Sequence, residues 1–215
     1  MPPSENRSGS GLFLALGSEK IPHLFQLLQQ GCMLRVQVGC SVRALLSQQL
    51  SISPEFLEGR IKTIFLDGRP VDDMDSAIIK TGSTLALSAA LPGLAGATLR
   101  RGGTFASLRS QLTHPRDEAP VAQQEGFIVL KLFNLLMDEL GPGLLHRGVF
   151  IKKEVLKGFL KNLPKDFWAG CQTPQVDGEE VKVDELLASN WPENEDPVRI
   201  RVEARDPIHK NKKGG

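Results

Sequence analysis

The residues best suited to chemistry are Arg100, Arg101 and Arg109, which flank the pair Gly102-Gly103 in LRRGGTFASLR. Guanidinium forks grip a phosphate or carboxylate bidentately, and glycine amides approach such an anion closely, so the segment has the makings of an anion-binding or partner-binding loop. Its spacing matches neither G-x-x-x-x-G-K-[ST] nor G-x-G-x-x-G, which leaves no known nucleotide loop; a plain solvated linker is the competing reading. Three thiols, Cys32, Cys40 and Cys171, could meet around a metal or a persulfide. None belongs to a CxxC pair, and His23, His114, His146 and His209 are scattered, so the spacing favours buried, inert cysteines and no metal site. The acidic run Asp72, Asp73, Asp75 lacks the glycine and terminal glutamate of a calcium loop and reads as the cap of a following turn. Asp67 and Asp177 each precede a glycine and serve tight turns rather than a catalytic pair. Tyrosine is absent, which removes one class of catalytic acid. No residue is assigned a catalytic role and no cofactor is implied.

The elements that would position these groups follow from periodicity. Cys32 to Val38 (CMLRVQV) alternates in the manner of a half-buried strand, and Ser41 caps a short amphipathic helix through Leu50. Ile61 to Asp73 (IKTIFLDGRPVDD) reads as strand, type I′ turn at Asp67-Gly68 and short strand. Ser83 to Ala89 is another apolar strand. Residues 92–125 carry Pro92, Gly93, Gly96, Gly102, Gly103, Pro115 and Pro120, a connection too long and too broken for the inside of one compact domain. Beyond it, Phe127 to Phe133 reads as a strand and Asn134 to Leu140 as a helical turn interrupted by Gly141, Pro142 and Gly143. Glu154 to Leu163 forms an amphipathic helix stopped at Pro164. Trp168 and Trp191 are read as cover for the core of this second half.

Composition bounds the function. The 215 residues are 40% hydrophobic and 24% charged with net charge +1, ordinary for one large or two small globular domains. No global field draws the chain toward nucleic acid, and no basic groove surrounds the tryptophans, which argues against a nucleic-acid partner. The apolar runs fall short of a membrane span, the start lacks a secretory signal, and three unpaired cysteines suit a reducing cytoplasm.

An internal repeat emerges when the halves are aligned. Thr63 matches Thr173, Asp67-Gly68 matches Asp177-Gly178, and Val71 matches Val181. Upstream, Gly31 to Leu34 resembles Gly148 to Ile151, and Leu85 and Leu87 align with Val198, Ile200 and Val202. The expectation is an α+β chain of two tandem units, each a mixed sheet packed on a helix, at 12–91 and 126–204. A disordered N-terminus (1–11), the linker (92–125) and a basic tail (205–215) complete the division.

The order of elements, with VGCSVRALL (Val38 to Leu46), FLDGRPVDD (Phe65 to Asp73) and TGSTLALSAALPGLAG (Thr81 to Gly96), resembles the β-grasp sulfur carriers related to ubiquitin, namely those of molybdopterin and thiamine synthesis. That resemblance implies a β-grasp fold and an apolar tail ending in two glycines, whose terminal carboxylate is adenylated and converted to a thiocarboxylate by an activating enzyme. Gly102-Gly103 lies in mid-chain without a free carboxylate, whereas Gly214-Gly215 ends the sequence. Two functions therefore stand: a noncatalytic β-grasp binding or scaffold protein that meets a protein partner through strand edges or the arginine loop, and a carrier or modifier activated at Gly215.

Overall fold

The computed structural model describes residues 11–90, 99–101, 103, 114, 122–169, 171–188 and 197–205. The chain forms two compact units, and they do not divide at the expected linker, residues 92–125. A central unit runs from Gln26 to Gly141, and a terminal unit combines Met1–Phe25 with Pro142–Gly215.

Helix α1 (Phe25–Gln30) leads to β2 (Cys32–Val38), the first strand of the central unit, whose burial alternates as its sequence does. Ser41 Oγ accepts the Ala44 amide and starts α2 (Val42–Ala44). The expected continuous helix instead widens into a π-turn (Leu45–Gln49), with the Leu50 amide bonded to the Leu45 carbonyl. Pro54 at the first position and a Ser53 cap define α3 (Pro54–Gly59). Strands β3 (Thr63–Leu66), β4 (Arg69–Pro70), β5 (Thr84–Ser88) and β6 (Gln124–Phe133) complete the sheet in the order β4-β3-β5-β6-β2. All neighbours are antiparallel except β5 and β6. Leu34, Val36, Ile64, Leu66, Leu85, Leu87, Ile128 and Leu130 bury on one face.

In the terminal unit, β1 (Gly11–Gly17) lies parallel to β10 (Val198–Arg205), between it and β8 (Gln175–Val176). The outer strands are β9 (Glu179–Glu180) beside β8 and β7 (Val149–Ile151) beside β10. Helices α5 (Lys153–Lys161), α6 (Lys165–Ala169) and α7 (Val183–Ala188) bury Leu156 and Leu160, Phe167, and Leu186.

The two sheets have the same succession of pairings. Read from β4 or from β9, each runs antiparallel, antiparallel, parallel, antiparallel. Their Asp-Gly turns agree in detail: Asp67 and Asp177 take φ of 51° and 55°, and the following glycines 78° and 87°. Positive φ at both central positions is the type I′ condition that this dipeptide meets cheaply. The Asp67 amide donates to the Thr84 carbonyl at 2.9 Å while its Oδ1 accepts the Thr84 amide at 2.6 Å. Asp177 does the same with Gly11, at 2.9 and 2.7 Å.

This equivalence changes the expected alignment. The strand standing where β5 stands is the N-terminal β1, and β10 takes the place of β6. The pairing of Leu85 and Leu87 with Val198, Ile200 and Val202 is therefore not the geometric one; Leu85 answers to Leu12 through their shared pairing with Leu66 and Val176. Likewise β6, expected to open the second unit, joins β2 in the central sheet. A second difference concerns α4 (Leu135–Arg147), which continues through Gly141, Pro142 and Gly143. Proline forfeits one amide bond but fits helical φ, so the helix passes where the sequence suggests a break. Among the described residues, no helix is long and apolar enough to cross a membrane.

Candidate functional site

Arg101 turns inward. Its side chain is 10% exposed and is held by three bonds: Nη1 to Met74 Sδ at 2.8 Å, and Nη2 to the Leu57 carbonyl at 3.1 Å and Glu58 Oε2 at 2.8 Å. Its amide donates to the Lys62 carbonyl at 2.8 Å, so main chain and side chain are tied together. Glu58 also receives Arg43 Nη1 at 3.0 Å, and Arg43 Nε reaches Asp75 at 2.9 Å. The two guanidinium groups hold the Glu58 carboxyl below the usual carboxylate range, the hydrogen bond from Arg43 being the largest cause. The anion contacted by Arg101 is thus internal, and Asp75 of the acidic run belongs to the same cluster. Asp73 Oδ1 accepts the Asp75 amide at 2.9 Å, the turn-capping role its position suggests. Of the other residues of the arginine loop, Arg100 is exposed and the Gly103 amide bonds to its carbonyl at 3.1 Å. Gly102, Arg109, Gly214 and Gly215 lie outside the described residues.

The thiols are arranged for inertness. Cys32 is buried, donates to the Leu130 carbonyl, and has its pKa pushed up to about 12 by desolvation. Cys171 is raised to about 11 by burial, and Cys40 is raised mainly for the same reason. A thiolate is the nucleophile and ligand form, and each environment disfavours it. Among the described residues, no three His, Cys, Asp or Glu side chains gather as a metal site requires.

Strand edges offer less than expected. At β4, Pro70 has no amide and its carbonyl accepts the His114 amide at 2.8 Å. The edge β9 is two exposed glutamates, the charged short edge that discourages strand addition. An open hollow of about 410 Å³ in the terminal unit is lined by Ile21, Leu145, Val202 and Ala204, with His146 and Glu203 as its ionisable groups. Those two form no ion pair with any described residue, and the hollow lacks the convergent polar groups of a built ligand site.

The outer sheet faces differ more instructively. In β10, burial of Val198, Ile200 and Val202 sends Arg199, Arg201 and Arg205 to the opposite face. Register places Phe13 opposite Arg201 and Phe150 opposite Arg199. Arg201 lies over the Phe13 ring at 5.8 Å. Arg199 donates through Nη2 to the Arg147 carbonyl at 3.0 Å, and it packs where a side chain on Gly148 would lie, since a Cβ there would come within 2.7 Å of its Nε. In the central unit the equivalent positions are Ala86, Lys131, Val129 and Met33. On β2 of the central unit, Arg35 sits 5.7 Å from the Phe127 ring centroid and pairs with Glu125 at 3.3 Å, while Arg69 on the edge strand β4 is exposed. The alternation of arginine with valine and isoleucine in VRIRVEAR is the sequence signal for this face. No protein-family model, curated protein or solved structure matches the chain.

Proposed function

We propose that the chain is a noncatalytic binding protein, built from two β-grasp-like units of common origin and acting through protein contacts. The shared pairing succession and the twin aspartate-capped turns support the repeat, with β1 and β10 in exchanged places relative to a simple tandem copy. The observation that carries the binding reading is the outer face of the terminal sheet, where Arg199 and Arg201 stand exposed without a described carboxylate partner. Arg101 and Arg43, by contrast, are engaged internally, which moves the contact surface away from the arginine loop. The carrier alternative requires a free carboxylate at Gly215 and an activating enzyme using ATP.

The test separates the two. Incubation of the full chain with ATP and sulfur-carrier activating enzymes, read by intact mass, is expected to leave the mass unchanged; an adenylate or thiocarboxylate lost on deletion of Gly214 and Gly215 would establish the carrier instead. Crosslinking mass spectrometry of the chain with its captured proteins is expected to place contacts on the sheet faces.

A further inference from the structure

The terminal unit presents cations that its own fold does not neutralise. Arg199, Arg201 and Arg205 occupy alternate outward positions of β10, interrupted once by Glu203. Arg199 and Arg205 bond to neutral oxygens, of Arg147 and Gln172, and none of the three pairs with a described carboxylate. In the central unit, Arg35, Arg43, Arg60 and Arg101 are each paired with an acidic side chain. The contrast is one of chemistry as well as charge. An arginine laid on an aromatic ring, as Arg201 is, or braced by a carbonyl, as Arg199 is, is preorganised, so less freedom is lost when it binds a carboxylate.

Resting on the reading of the chain as a binding protein, we infer that the outer face of β10, floored by Phe13 and Phe150, receives an extended acidic segment of a protein partner. Outward side chains along a strand repeat about every 6.6 Å, and an extended peptide has the same repeat. The complement of Arg199, Arg201, Glu203 and Arg205 is therefore a segment with acidic groups at alternate positions and one base at the third. A single-stranded nucleic acid fits less well. It needs bare ring faces for base stacking, whereas Phe13 and Phe150 are only partly exposed and Arg201 already covers Phe13.

The experiment is an amide-resolved NMR titration of the isotopically labelled full chain with three probes: the peptide Glu-Ser-Glu-Ser-Lys-Ser-Glu-Ser, its charge-reversed counterpart, and a short oligothymidylate. The first is expected to shift amides of β1, β7 and β10 and to weaken as salt rises. The double variant Arg199→Glu, Arg201→Glu should weaken it by about tenfold or more while keeping the spectrum of a folded chain. Absence of shifts at millimolar acidic peptide overturns the proposal, as do equal binding of the reversed peptide, unchanged binding by the variant, or tighter binding of the oligothymidylate. Shifts falling instead around Met33, Arg35 and Phe127 overturn this assignment but leave the binding-protein reading in place.

Discussion

The two units share a frame and differ in how they hold the arginines of their sheets. In the central unit, four guanidinium groups are closed onto carboxylates, Arg101 and Arg43 at Glu58, Arg60 at Glu139 and Arg35 at Glu125, while Arg69 on the edge strand β4 stays exposed. In the terminal unit, Arg201 lies over the Phe13 ring, and Arg199 and Arg205 bond to neutral oxygens. Backbone pairing and turn geometry are set by a few local requirements, such as positive φ at Asp-Gly and apolar alternation. The outward positions are free of those requirements, and there the units diverge. The frame is what folding needs, and the departures are where function is to be sought.

The equivalence of the frames is broken most severely in the core. Leu85 and Leu12 are 0% and 1% exposed and hold matching positions beside the Asp-Gly hairpins. Truncation to alanine is expected to cost about 2–5 kcal/mol at each site, as for other buried leucines. Chemical denaturation of both variants checks this. A cost below about 1 kcal/mol for Leu12→Ala would deny β1 the structural place of β5.

A smaller effect separates closed from open arginines. Arg101→Ala leaves Glu58 without one cation and strands the Leu57 carbonyl, so a loss of about 1.5–3 kcal/mol is expected. Arg101→Lys should recover only part of it, because one ammonium cannot reproduce the fork. Arg201→Ala, with no such partners, should stay within about 0.5 kcal/mol. Equal losses at the two sites would remove the distinction between internal clamp and exposed face.

Burial of a thiol in each unit makes stability fall in alkali. Unfolded thiols ionise near pH 9.0, whereas Cys171 holds its proton to about 11 and Cys32 to about 12. The unfolded chain therefore binds fewer protons in this window, and stability present below pH 9 is lost as pH rises through these values. Each thiol contributes a slope of at most about 1.4 kcal/mol per pH unit. Replacing Cys32 by Ala should flatten the measured pH dependence up to about pH 12, and Cys171→Ala only up to about pH 11.

Much of the frame was legible because its causes are local. The alternation of Cys32 to Val38 fixed β2, and Asp67-Gly68 and Asp177-Gly178 fixed the hairpins. The exchange of β1 and β10 was not legible, since parallel partners 188 residues apart in register, such as Gly11 and Arg199, leave no local mark on either segment. The arginine loop misled for a related reason. A guanidinium reads the same in sequence whether it faces solvent or, like Arg101, finds Glu58 and Met74 from distant parts of the chain. The α4 helix misled differently: Gly141 to Gly143 lowers helix propensity without forbidding helix, and tertiary packing outweighs a weak local preference.

The smallest expected effect bears most directly on why the faces differ. Arg35 and Glu125 are 35% and 59% exposed at the side chain, so their ion pair is worth no more than about 0–1 kcal/mol in stability. Glu125→Gln should therefore leave the denaturation midpoint nearly unchanged. It nevertheless deletes the acidic partner that distinguishes Arg35, near Phe127, from Arg201 over Phe13. If local neutralisation sets the availability of a sheet arginine, this substitution should make amides around Arg35 respond to the acidic peptide, weakly and reversibly with salt. If the response stays confined to β10, the distinction lies in Arg199 and the aromatic floor rather than in one missing carboxylate, and the specificity of the terminal face belongs to its whole arrangement.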